Sequence, residues 1–254
     1  MEIQITKENG VMTIGFNREE KKNAFTAAMY QTMADALKQA DIDSEVRVIL
    51  FVGKPQIFTA GNDLEDFLKN PPSGKEAPVF QFLWQISHCS KPLIAAVAGA
   101  AVGVGTTMLM HCEMVYAADN AKFSMPFTQL GLCPEAASSL LLPNIVGYQR
   151  AAEKLLLGEA FGVDEAHDMG LVNKILPADE LLAYAQKQAA KLAALPAASV
   201  RLTKQLMKKN RVAAVESQMA LEIQHFAAML TAPEAKEAFT AFFEKRKPDF
   251  SKFG

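Results

Sequence analysis

The sequence predicts an α/β core over residues 1–195, followed by an α-helical region over residues 196–254. Three observations predict it. Short β-branched or alternating apolar runs end at Gly, Pro or Asn-Gly. Segments with helical apolar spacing separate those runs, and after the last of them the pattern is helical, with breaks near Pro196 and Pro233. No internal repeat is visible. The chain has 254 residues, 50% of them hydrophobic, enough to fill one large core.

Ile3-Gln4-Ile5-Thr6 and Val11-Met12-Thr13-Ile14 alternate around Asn9-Gly10, a strong short-range signal for a hairpin. Thr26 is placed to cap a helix running to about Ala40, with Phe25 as its hydrophobic staple. Val46 to Val52 suits a buried strand that Gly53-Lys54-Pro55 closes, and the turn Ala60-Gly61-Asn62-Asp63 follows. Asn70 to Pro78 is the most linker-like stretch and is expected to be a mobile surface loop, leading to a helix from about Val79 to Cys89. Leu93 to Val97 is a second strand, entering the turn Val102-Gly103-Val104-Gly105, from which a helix leaves. Met114 to Ala117 and Lys122 to Met125 read as two more strands, and Leu171 to Leu176 as a late one ended by Pro177. The helical tail is too apolar to stand alone in water, so it must pack on the core or on another subunit.

Composition removes several functions. A net charge of −2 offers no general attraction for polyanions, so nucleic acid is excluded as a partner and an anionic ligand needs a local basic patch. Cys89, Cys112 and Cys133 are an odd count without CxxC spacing, which reads as buried thiols rather than a disulfide frame or zinc site. The histidines (His88, His111, His167, His225) lack metal-ligand spacing, so no metal is expected. Pro92 to Cys112 carries no formal charge, yet its Gly and Ala content and Thr106-Thr107 suit a buried strand, turn and helix rather than a membrane span. The charged, alternating start is unlike a secretory signal, and Ser-Lys-Phe-Gly at the end is not the peroxisomal tripeptide, so the expectation is a cytoplasmic protein.

The chemistry concentrates in two glycine turns and one acid. At each turn a strand enters and a helix begins, where unpaired N–H groups and the helix dipole favour negative charge. Gly61 would let Asn62 present its N–H, and Gly103 would do the same for Val104. The other reading is that the glycines only let a helix pack closely on a strand. The spacing Gly99-x3-Gly103-x-Gly105 matches neither the dinucleotide fingerprint nor a P-loop. Glu135, in Pro134-Glu135-Ala136, is either a charge stabilising a helix N-terminus or a desolvated proton carrier approached through Phe123, Met125, Phe127, Leu130 and Leu132. One carboxylate beside two N–H donors suffices to move a proton next to a carbonyl. Ser138-Ser139 lack the GxSxG elbow and read as helix-surface or capping hydroxyls. Lys245-Arg246-Lys247 is either a solvated helix end or a phosphate contact.

Together these segments resemble the crotonase (enoyl-CoA hydratase/isomerase) superfamily over essentially the whole chain. The resemblance rests on Arg18 with Lys22-Asn23-Ala24, on Phe58-Thr59-Ala60-Gly61-Asn62-Asp63-Leu64, on Pro92 to Gly105, and on Phe243-x-Lys245-Arg246-x-Pro248. It implies a crotonase-like spiral of ββα turns with an α-helical C-terminal trimerisation region, assembled as a homotrimer or as a hexamer of two trimers. Hydratases of the superfamily carry two Glu residues at positions that are Thr107 and Phe127 here. Leu130-Gly131-x-x-Pro134-Glu135 instead resembles the Δ3,Δ2-enoyl-CoA isomerase branch, in which one Glu at the Glu135 position is the acid/base.

The resemblance implies an acyl-CoA substrate and no cofactor beyond the coenzyme A the substrate brings. It implies an oxyanion hole from the N–H groups of Asn62 and Val104, with Ala60, Gly61, Asn62, Asp63 and Leu64 lining the adenine and thioester region. Lys22, beside Ala24, and Lys245 would lie near the CoA phosphates, the latter serving a neighbouring subunit, while Gly103 and Phe127 complete the binding site. The expected reaction is conversion of 3-enoyl-CoA to 2-trans-enoyl-CoA. Another crotonase reaction (hydratase-like or thioesterase) and a non-catalytic acyl-CoA-binding or scaffold protein are the alternatives. Acyl chain length would depend on a pocket depth set by residues such as Phe80, Trp84 and Leu141.

Overall fold

Asn9 at φ 50° and Gly10 at φ 81° make the first turn, and the hairpin forms where Asn9-Gly10 predicts it. Strands β1 (Ile3–Glu8) and β2 (Val11–Phe16) pair antiparallel across that turn. Beyond β2 the large sheet is parallel: β3 (Val48–Val52), β5 (Leu93–Val97), β7 (Met114–Ala118) and β10 (Lys174–Leu176) follow in the order β1-β2-β3-β5-β7-β10. A second sheet takes β4 (Ile57–Thr59), β6 (Ala100–Val102), β8 (Lys122–Ser124) and the two-residue β9 (Phe161–Gly162), in that order. Its first three strands are parallel and β9 is antiparallel. Three times in succession the chain gives one strand to the large sheet and the next to the small one, which is a spiral of ββα turns. The computed structural model describes residues 1–72, 74 and 76–253. The expected mobile loop Asn70 to Pro78 includes positions 73 and 75, which lie outside the described residues; Pro78 itself is the first residue of a helix.

The central strands are apolar on both faces because both faces are covered. Ile49, Phe51, Leu93, Ala95 and Val97 face the main core, which also takes α1 (Ala27–Ile42) and α3 (Pro78–His88). The alternate residues Val48, Leu50, Ile94 and Ala96 face α8 (Leu181–Ala193) through Leu181, Ala185, Ala189 and Ala193. The predicted start of α1 is borne out: the Met29 N–H donates to Thr26 Oγ1 at 3.3 Å. Phe25 packs edge-on against Tyr30, four residues into the helix, with ring centroids 5.4 Å apart.

The tail forms α9 (Ala197–Lys208), α10 (Val212–Leu230) and α11 (Pro233–Phe243). Its breaks fall at Pro196 and Pro233 as predicted, with a further one at 209–211 that no proline marks. The strand β9 was likewise not predicted, since two residues carry no periodicity. Helix α9 is fastened to the core by charge: Lys204 Nζ donates to Lys91 O (2.7 Å) and to Glu113 Oε2 (2.9 Å). The tail thus packs on the core through one side, while Leu202, Leu206, Met207, Phe242 and Phe243 are exposed. Among the described residues no helix is long and apolar enough to cross a membrane.

Removing the α1 cap without touching the core measures its share of stability. Thr26→Ala is expected to lower stability by about 1 kcal/mol. Thermal unfolding should register that as a fall of about 2–4 °C in Tm.

Candidate active site

Glu135 lies in the connection that precedes α5 (Ser138–Val146), 5% exposed. The two residues after it, Ala136 and Ala137, both adopt left-handed backbone (φ 60° and 55°), an arrangement that residues with a Cβ hold only when their surroundings fix it. Those surroundings are visible on both sides. His111 Nε2–H donates to the Ala136 carbonyl at 2.8 Å. From α10, Glu222 accepts the N–H of Ala137 (2.6 Å), the N–H of Ser139 (3.1 Å) and the Ser139 hydroxyl. Of the two readings of Glu135, the structure removes the helix-dipole one: the carboxylate at the N-terminus of α5 is that of Glu222.

The Glu135 carboxyl turns instead toward α4 (Val104–Thr107), where Thr107 Oγ1 donates to its Oε1. Its Oε2 is buried and has no hydrogen-bond partner among the described residues. Burial pushes the Glu135 pKa up to about 8; the Thr107 hydrogen bond works against that rise, and the negative charge of Glu222 adds to it. His111 is held neutral, its pKa lowered to about 3 by burial despite the hydrogen bond to Ala136. Its role is to hold the turn.

Thr107 is the last residue of the helix that Val104 opens, so about 4.5 Å of axial rise separates them. Gly103, at φ 55°, turns β6 into that helix, and its carbonyl accepts the N–H groups of Thr106 and Thr107. The Val104 N–H makes no hydrogen bond to a described residue. The Asn62 N–H, too, has no partner among the described residues, by a different device. The Phe25 N–H donates to Gly61 O at 2.7 Å and the Asp63 N–H donates to Phe25 O at 2.9 Å, so a short parallel bridge passes over Asn62 without using its amide.

Gly61 also locks the two turns together. At φ 86° it lies so near that a Cβ there would stand 2.8 Å from the Val102 carbonyl oxygen. Close packing, the second reading of the glycines, applies to Gly105, where a Cβ would meet the Thr59 methyl at 2.5 Å. Close packing thus holds at both Gly61 and Gly105.

Other predicted residues scaffold this region. The Lys22 carbonyl accepts the Ala60 N–H (3.0 Å), and the Lys22 side chain is exposed. Arg18 donates from Nη1 to Ala24 O (2.8 Å) and to Asp63 Oδ2 (2.7 Å), while Asp63 Oδ1 caps α2 (Leu64–Lys69) by accepting the Asp66 N–H. Asp63, half of a buried ion pair and a helix cap, has both carboxylate oxygens engaged. Asn23 ties the same stretch to β4 through Ile57 O and Phe58 O. Phe127 is buried, and Leu64 packs partly buried against the core. Lys245 is exposed beyond α11, and no hydrogen bond or ion pair among the described residues joins it to the glycine turns. Ser138 is buried rather than at the helix surface, and Ser139 is taken up by Glu222 and Gln218. Phe80 and Leu141 are buried, whereas Trp84 is half-exposed and stacks on His88.

Sequence reasoning missed Tyr30 and Glu222. Tyr30 is buried, donates its hydroxyl to Asn62 Oδ1, and is held protonated by burial first and by the nearby Glu135 carboxylate second. Glu222 had a readable signal: it falls in the stripe Val215, Met219, Phe226 that α10 buries. No three His, Cys, Asp or Glu side chains among the described residues come together as a metal site.

Two glycine-turn amides without partners among the described residues and a buried acid, carried on a ββα spiral, point to a class of acyl-thioester enzyme. The chain belongs to the enoyl-CoA hydratase/isomerase (crotonase) family, whose sequence pattern it matches over residues 6–252. It is 33% identical over 251 residues to the 1,2-epoxyphenylacetyl-CoA isomerase of Escherichia coli (strain K12), covering 96% of each chain. It is 38% identical over 214 residues to enoyl-CoA delta isomerase 2 of Rattus norvegicus; that match takes in 82% of this chain and spans 54% of the rat protein. A crystal structure of an enoyl-CoA hydratase/isomerase from Pseudoalteromonas atlantica T6c superposes with a TM-score of 0.94 at 41% identity, over 99% of this chain and 100% of the other.

A carboxyl with a raised pKa binds its proton more tightly folded than unfolded. From its ordinary value of 4.5 up to about 8, the folded state keeps a proton the unfolded chain has shed. The Glu135 contribution to stability is therefore complete below that window and is lost as pH rises through it. Glu135→Gln, which cannot ionise, should raise Tm relative to the parent at pH 8.5 and do so much less at pH 5. An equal difference at both pH values would contradict the raised pKa.

Proposed function

We propose that the protein isomerises 3-enoyl-CoA to 2-trans-enoyl-CoA. The amides of Asn62 and Val104 hold the thioester oxygen. The Glu135 carboxylate takes a proton from C2, and the electron pair spreads over a dienolate whose charge rests largely on that oxygen. The protonated Glu135 then returns the proton to C4, leaving the double bond between C2 and C3. Atoms balance within the substrate, and no cofactor takes part beyond the coenzyme A the substrate carries. Lys22, and Lys245 from a neighbouring subunit, meet the CoA phosphates in this reading. Ala24 and the Ala60–Leu64 turn line the adenine and thioester, as do Gly103 and Phe127 further in. The exposed apolar residues of α9 and α11 support a homotrimer, or a hexamer of two trimers.

One observation carries the reading: the buried Glu135 carboxyl has one oxygen held by Thr107 and the other without a hydrogen-bond partner among the described residues, whereas the buried Glu222 has both oxygens engaged. A carboxyl raised toward neutrality both removes and returns a proton efficiently. Hydration calls for a second carboxylate to activate water, and the superfamily positions that supply it hold Thr107 and Phe127. Glu222 does not replace it, because both of its oxygens are taken by the α5 amides and Ser139.

A second reading, rearrangement of a different acyl-CoA by the same oxyanion site, is supported by the 96% mutual coverage with the epoxyphenylacetyl-CoA isomerase. The fold alone does not select the reaction.

The deciding assay converts 3-cis- and 3-trans-hexenoyl-CoA and follows 2-enoyl-CoA, with product analysis. Glu135→Gln should bind acyl-CoA nearly as well and lose on the order of 10²-fold or more in kcat. A variant that keeps most of its turnover would remove Glu135 from the mechanism, and tight binding without turnover would mark a binding protein. Since the base must be ionised, kcat/KM should rise with pH through about 8. Thr107→Val removes the hydrogen bond that favours the ionised form, so its profile should move to higher pH.

A further inference from the structure

Glu222 occupies a place on α10 where an apolar residue would be easier to bury. It stands 5% exposed between Met219 and Phe226 on the core-facing stripe. Burial raises its pKa, and what works against that is a set of three donors, the amides of Ala137 and Ser139 and the Ser139 hydroxyl, the last of which also accepts from Gln218 Nε2 at 2.8 Å. A buried carboxylate with all its donors on one turn spends its hydrogen bonds on that turn's shape. The turn in question holds two successive left-handed alanines directly after Glu135. His111 grips it by the Ala136 carbonyl and Glu222 grips it by the Ala137 amide, from opposite sides of the Ala136–Ala137 peptide.

We propose that Glu222 is a positioning residue for the reaction. By accepting the Ala137 and Ser139 amides it fixes the strained turn that sets the Glu135 carboxyl against Thr107. The inference rests on the reading of Glu135 as the acid/base. Glu222 touches none of the residues assigned to the substrate, so its removal acts on the chemical step and not on binding.

The groups that face Glu135 or its turn are Tyr30 from α1, Thr107 from α4, His111 from the 108–111 turn, Cys133 from its own segment and Glu222 from α10. Tyr30 and Cys133 are pushed up by burial and His111 is held neutral. Glu222 is itself raised by burial against the pull of its hydrogen bonds, and once ionised it is the charge that acts on Glu135 in this group. Lys204, Lys208 and Arg211 stand behind His111. Loss of the Glu222 charge should therefore lower the pH at which Glu135 ionises.

The test compares the 254-residue chain with its Glu222→Gln and Glu222→Asp variants. The readouts are kcat and KM on 3-hexenoyl-CoA across pH, and a ¹³C NMR titration of the Glu135 carboxyl, assigned by its loss in Glu135→Gln. In Glu222→Gln the amide NH₂ opposes one of the turn's N–H groups. The expected result is a fall in kcat on the order of tenfold to a hundredfold with KM within about twofold, and a Glu135 midpoint at lower pH. Glu222→Asp, which keeps the charge, should recover part of both. A folded Glu222→Gln with parental kcat and parental midpoint overturns the proposal. Should that variant not fold, Ser139→Ala, which removes one of the three donors, is expected to give a smaller loss of kcat, and parental kcat there overturns it instead. If the parent shows no isomerase turnover while the NMR midpoint still moves in Glu222→Gln, the reaction is wrong and the electrostatic coupling of Glu222 to Glu135 is all that stands. If the parent turns over and neither readout moves, the positioning role alone is wrong.

Discussion

A carboxyl group removed from water without a cation beside it is the constraint to which the rest of the site answers. Glu135 has no ion-pair partner among the described residues; a threonine hydroxyl meets one oxygen, and the other oxygen is left open. A lysine or arginine in the same place would hold the carboxylate firmly ionised and make it a poor proton donor. The fold avoids that by surrounding the acid's turn with neutral or negative groups. Its cations stay further away, Lys204 and Lys208 on Glu113 and Arg18 on Asp63.

The amides that would face the acid are free for reasons of topology. Each successive ββα turn takes the chain from the large sheet to the small one, and the sharp turns that leave the small sheet end in helix starts or bridges whose N–H groups lack internal partners. The turns at Gly61 and Gly103 come from consecutive turns of the spiral, and the fit of Gly61 against the Val102 carbonyl fixes their spacing. An acyl thioester would thus meet donors whose positions are set before it arrives, the condition under which such donors contribute most to a rate.

Much of this was legible in the sequence because it is encoded locally. Asn9-Gly10, Thr26 with Phe25, the β-branched runs and the prolines at 196 and 233 each specify an element with residues a few positions apart. The two glycine turns and Glu135 were legible for the same reason. Tyr30 was not, because a tyrosine inside an amphipathic helix reads as core, and only the three-dimensional path of the Gly61 turn brings Asn62 to its hydroxyl. Glu222 left a trace, an acid on a buried stripe, but its partners lie more than eighty positions away and no spacing rule connects them. Asp63 stands within the matching motif, and its side chain serves Arg18 and the cap of α2; that structural duty could not be read from the motif, because Arg18 lies 45 positions away.

The bond between Ala137 and Glu222 spans 85 positions, which orders events during synthesis. At about 5–20 residues per second, roughly four to seventeen seconds pass between the making of the acid-bearing turn and the making of the helix that grips it. Through that interval the chain is still adding β9 and β10 to its two sheets, and until α10 has been made and docked the two left-handed alanines are held from the His111 side alone. In the nascent chain the acid-bearing turn is therefore among the last parts of the fold to be fixed.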